Sequence, residues 1–204
     1  MTTHVATAEP HGPRGAHGEE GMSRGMAGMV LFIASEIMLF GGLFAAYFFV
    51  RTQATSWPPS DVETRVGREL GAILTVILIS SSIMAHFGIL GLKRGNQSAF
   101  KIGIGLAIVL GTIFIGGQIY EWFHLFDDGL NASSGVYGST FFVITGFHGA
   151  HVIVGLCMLW VVFGRALWND FTASRHVFAD TAVTYWHFVD VIWVFVFSIL
   201  YLSY

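Results

Sequence analysis

Charge is what this sequence has least of. Asp, Glu, Lys and Arg make up only 11% of its 204 residues, against about 25% in an ordinary soluble domain. With 54% hydrophobic residues and nineteen Phe, a soluble fold of this size could not cover its own apolar surface. The composition is that of a membrane protein. The net charge is only −3 and there is no run of basic residues, which excludes a nucleic-acid partner. A single cysteine, Cys157, excludes an internal disulfide. Without CxxC or CxxCH, a zinc knuckle or an attached haem c is excluded too, and Cys157 reads as a small apolar filler. No short apolar core with a cleavage site opens the chain, so no signal peptide is expected. No internal repeat is present, which disfavours an inverted-repeat transporter.

What the sequence does have is long uncharged runs. Residues 1–25 are polar and rich in Gly, Pro and His, a composition expected of a flexible tail, with His4, His11 and His17 solvated rather than metal-bound. Five apolar segments follow over residues 26–204: Met26–Val50, Leu70–Leu92, Ile102–Tyr120, Gly138–Phe163 and Ala179–Leu202. Each approaches or exceeds the about 20 residues a bilayer crossing needs. Unpaired backbone cannot sit in lipid, so the expected fold is all-α, a polytopic bundle of five transmembrane helices. Between the first two segments, "WPPS" at Trp57–Ser60 reads as a rigid outer loop, because tandem prolines block helix. Alternate sides of the membrane carry seven and three of the ten Lys and Arg residues. The richer side includes the tail, which puts the N-terminus in the cytoplasm and the C-terminus outside.

Against this background a few polar residues stand out. "GFHGAHVIVG" places His148 and His151 three apart on one helix face, inside a stretch free of Asp, Glu, Lys and Arg from Gly129 to Gly164. Counting at the helical rise puts Glu36 about 15 Å into the first segment. His151 and Asp190 reach a similar depth from two other helices, with His86 and His187 nearer the cytoplasmic face and His148 deeper. An ionised carboxylate at such depth costs at least about 2.5 kcal/mol, so each should face the bundle and find a partner.

Glu36–His151 is the expected pair. His187 and Asp190 share a face of the last helix, as do Trp186 and Trp193, which suggests tight packing along that stripe. These groups could bind a metal, relay protons or form a hydrogen-bonded cluster that fixes helix positions. The repeated Glu-x-x-His of paired-iron bundles is absent. Buried polar groups usually satisfy one another, so the cluster is the reading carried forward. A further pair, Gln118 and Glu121 in "GGQIYEW", lies at the outer end of the third segment beside Tyr120 and Trp122, where interfacial anchoring is the simplest role.

Five stretches, in order and spanning residues 26–204, resemble subunit III of cytochrome c oxidase, of the haem–copper oxidase family. They are "LFIASEIMLFGGLFAAYF", "WPP", "QIYEW", "GVYGSTFFVITGFHGAHVIVG" and "YWHFVDVIWVFVF". The resemblance implies a non-redox membrane subunit packed against the catalytic subunit I, with subunit II nearby. The haem and copper would reside in those partners and none in this chain. The implied holoenzyme oxidises cytochrome c, reduces oxygen to water and pumps protons. In the family, subunit III binds phospholipids in a cleft, sustains proton uptake and protects the oxygen-reducing centre.

The family's carbodiimide-reactive glutamate falls on Glu36. Its "FHG.H" histidines fall on His148 and His151, its "Q..E" pair on Gln118 and Glu121, and its "WHFVD" on Trp186–Asp190. Long members have seven helices, and this chain starts at what would be the third. Lipid is therefore expected on the exposed face, or another subunit fills that space. A quinol oxidase subunit III is the nearest alternative, and an independent proton-coupled transporter a more distant one.

Overall fold

The computed structural model describes residues 23–55, 57 and 67–202. Within them lie five helices: α1 (Arg24–Gln53), α2 (Arg68–Lys93), α3 (Gln97–Asp127), α4 (Val136–Leu167) and α5 (Val177–Leu200). All five are long and apolar enough to cross a membrane, and no strand occurs among the described residues beyond an isolated Thr172–Arg175 bridge. Most of the expected tail, and Pro58–Ser60 of the "WPPS" loop, lie outside the described residues. Helix α1 starts at Arg24, two residues before the expected span, because the Ser23 hydroxyl accepts from the Met26 amide and caps the first turn.

Helix α3 outruns its apolar window at both ends. Its start is set by Asn96, whose side chain accepts from the Ala99 amide at 3.0 Å. That same Asn96 closes the end of α2. Its amide bonds Gly91 O and the Gly95 amide bonds Leu92 O, with Gly95 at φ +79. This six-to-one, five-to-two pattern needs a left-handed residue, which glycine supplies without strain. The result is a two-helix hairpin with almost no loop. Its helices meet where Gly88 and Gly103 face one another, backbone against backbone, as small residues permit inside membranes. The end of α4 closes in the same way, with Asn169 at φ +55 in place of glycine.

Helix α5 is the most buried of the five. It packs on α1, α2 and α4, while α1, among the described helices, touches only α4 and α5. The outward face of α1 is a run of exposed apolar side chains, Leu31 and Met38 among them. At one end of the bundle Lys93 pairs with Asp180 at 3.0 Å, and Gln97 donates to Phe171 O at 2.8 Å. Arg165 and Arg175 grip Asp170 at 2.6 and 3.0 Å. The Arg165 hydrogen bond, with Arg175 beside it, holds the Asp170 carboxyl below the usual carboxylate range. This exposed cluster is basic and lies outside the apolar spans. Cys157, expected as filler, is exposed on α4 and fills nothing.

Candidate functional site

The polar side chains of the spans do not form one layer. They divide into four sites. The first joins α1 to α4. His151 Nε2 and Glu36 Oε2 are 2.8 Å apart, and His151 Nδ1 lies 2.6 Å from Phe147 O. A backbone carbonyl only accepts, so Nδ1 carries a proton. A second proton must then lie on the Nε2–Oε2 axis, on either the imidazole or the carboxyl. In both forms the pair is neutral as a unit, which low-dielectric surroundings favour. The two side chains are 14% and 16% exposed, and the Phe40 ring stands edge-on to His151.

His148 goes elsewhere. Three residues along a helix turn through about 300°, and α4 is wedged between neighbours closely enough for that difference to matter. His148 is fully buried; its Nε2 donates to Val189 O at 3.2 Å. Its ring lies against Trp193 and Phe114. The two histidines that share a face in sequence thus serve different helix pairs, α4 with α5 and α4 with α1.

The third site lies between α2 and α5, and here the expectation of a buried, paired layer fails. Ser82 and His187 Nδ1 are hydrogen-bonded. His86 is exposed, with its ring 5.9 Å from that of His187. Asp190 is only 5% exposed; Ser82 is the one donor beside its carboxyl among the described residues, too loosely placed to satisfy either oxygen. His187 shares its face but is already engaged by Ser82. All four residues line an open groove.

The fourth site is Gln118 and Glu121. They are buried, not interfacial: Gln118 Nε2 donates to Glu121 Oε2 at 2.9 Å, and Tyr201 Oη donates to the same oxygen at 2.7 Å. Helices α3 and α5 are tied at their outer ends. Removing the tyrosine hydroxyl (Tyr201→Phe) should lower stability by about 1–3 kcal/mol, the usual effect of leaving a buried acceptor under-satisfied. Thermal unfolding of the detergent-solubilised protein would read it, and an unchanged midpoint would mean the hydroxyl carries no load.

Trp186 and Trp193 pack α5 on α2 through bonds that sequence reasoning missed. Trp186 Nε1 donates to Ser81 Oγ at 3.0 Å and Trp193 Nε1 to Thr75 Oγ1 at 2.9 Å. The signal was present in "LTVILISSSI", hydroxyls inside an apolar run. Also unforeseen are Tyr47, donating to Ile199 O at 3.2 Å, and Trp57, donating to Tyr47 Oη at 2.9 Å. Both pin the outer half of α1.

In each site a polar side chain serves contact between helices or lines a groove. Among the described residues no group of three or more His, Cys, Asp or Glu side chains could hold a metal ion. The sequence profile of the family described as "Cytochrome c oxidase subunit III" matches residues 7–203. The chain belongs to the cytochrome c oxidase subunit III family. Its relatives are matched along most of their length. Cytochrome c oxidase subunit 3 of Corynebacterium diphtheriae is 41% identical over 177 residues, 85% of each chain. A probable cytochrome c oxidase subunit 3 of Nocardia farcinica is 34% identical over 202 residues, 98% of each. The subunit 3 of Thermostichus vulcanus is 36% identical over 187 residues, covering 91% of this chain and 90% of the relative. As a subunit III this chain is a multi-pass membrane component of a haem–copper oxidase and holds no redox centre.

Proposed function

We propose that this chain is a scaffold subunit that packs against the haem–copper catalytic subunit I, beside subunit II, and supports assembly, lipid binding and proton uptake. The observation that carries the reading is the Glu36–His151 pair: a charge-neutral unit, with no ion to hold, whose two side chains join α1 to α4. Cytochrome c is the electron donor in this reading, rather than quinol, since the relatives are cytochrome c oxidase subunits by name. The complex resides in the cell membrane, its exposed apolar faces covered by lipid and neighbouring subunits. The N-terminus is cytoplasmic, because α1 starts at the end of the bundle that carries Lys93, Arg165 and Arg175.

A pull-down of the full chain in mild detergent tests this. It should bring a haem spectrum and a second subunit with a copper-binding, cytochrome-docking domain. Isolation as a stable, haem-free homo-oligomer would overturn the proposal.

A further inference from the structure

The Asp190 carboxyl sits about 20 Å along α5 from Val177 and about 15 Å from Leu200, near mid-membrane and beyond the reach of lipid headgroups. Its walls are apolar: Ile79 and Ile83 of α2 on one side, Val191 and Val194 of α5 on the other. All four are exposed, and together they make two ridges with a groove between. Acyl chains could fill that groove, but they have no hydrogen-bond donor to offer. The outward face of α1 is different, since among the described residues no unpartnered buried polar side chain belongs to α1.

We infer that the α2/α5 groove receives a transmembrane helix of the haem-bearing subunit, and that this helix donates a hydrogen bond to Asp190. A donor suits the site in either protonation state, because a carboxylate and a carboxylic acid both present an accepting oxygen. The groove shape suits a helix, whose own ridge can lie between those of α2 and α5. Ser82, shared with His187, offers Asp190 at best one hydrogen bond, and a carboxylate can accept about four, so acceptor positions are left for the newcomer.

The inference rests on the subunit III reading, and the test separates the two. A photo-reactive benzoylphenylalanine is placed at Ile83 or Val191 in the intact complex, with Val109 on the exposed α3 surface as control. Irradiation in native membranes should join the groove positions to the haem-bearing subunit at least tenfold more than the control. Adducts only to lipid, to a second copy or within this chain would overturn the inference. Asp190→Leu should reduce retention of this subunit after detergent exchange at least threefold, whereas Asp190→Asn, which keeps an acceptor, should not. Equal retention of the Leu variant would remove the hydrogen bond from the account. A preparation with no haem at all would instead defeat the subunit reading, while haem present with lipid-only adducts defeats only the groove.

Discussion

Replacing Glu36 by Ala is expected to leave haem content intact but to reduce the number of turnovers before the oxidase inactivates; replacing it by Gln should change neither. The difference follows from the proton count of the pair. His151 Nδ1 gives its proton to Phe147 O, so Nε2 must meet a donor or be one. Alanine leaves Nε2 facing an apolar gap. Glutamine offers an amide N–H to the neutral imidazole and keeps α1 joined to α4.

Breaking a buried pair typically costs about 3–5 kcal/mol, and the partial exposure here argues for the low end. His151→Ala should do similar damage, and the double variant less than the sum, since each single change removes the same contact. Repeated-turnover assays on the parent and four variants would decide it. Parent-like endurance in Glu36→Ala, or equal damage from Gln and Ala, would end the argument.

The α2/α3 hairpin should break with a single methyl group. At Gly103 an added Cβ would stand 2.6 Å from Gly88 Cα and 2.7 Å from both Gly88 N and Met84 O. All three are backbone atoms, so no side-chain rotation can relieve the clash and the helices must part. Overpacking usually costs about 1–3 kcal/mol; with backbone on the other side Gly103→Ala belongs at or above the top of that range. Gly116 in the same helix has nothing within 4 Å of its would-be Cβ. There the same substitution should be neutral or gain up to about 1 kcal/mol from helix propensity. The temperature at which the subunit leaves its complex should fall for the first variant and hold for the second. Equal behaviour would mean the close approach contributes nothing.

The five spans were legible because composition alone decides what crosses a bilayer. The Glu36–His151 pair was legible because both residues count to the same depth, and in an antiparallel bundle depth is readable from either end. Lateral arrangement is not. Depth put Asp190 in the same layer, but α5 turns it toward α2 and away from His151, and nothing in the one-dimensional count distinguishes those directions. The same ignorance hid the separation of His148 from His151. It also concealed the burial of Gln118 and Glu121, which an outer-end position made look interfacial until Tyr201 closed over them. Ser81 and Thr75 escaped notice because a hydroxyl in an apolar helix usually bonds its own backbone, as these two also do with Leu78 O and Gly71 O while accepting from the tryptophans.

The narrow footing of α1 has a consequence for biosynthesis. Its two neighbours, α4 and α5, are both translated after it, and Glu36 lies 115 residues ahead of the imidazole it meets. At about 5–20 residues per second, that is a wait of roughly 6–23 s for a nascent carboxyl inside or beside the translocation machinery. The first of these helices to emerge thus waits through the synthesis of α2 and α3 before it meets a neighbour. During that interval its carboxyl must be sheltered from lipid by something other than its own imidazole partner.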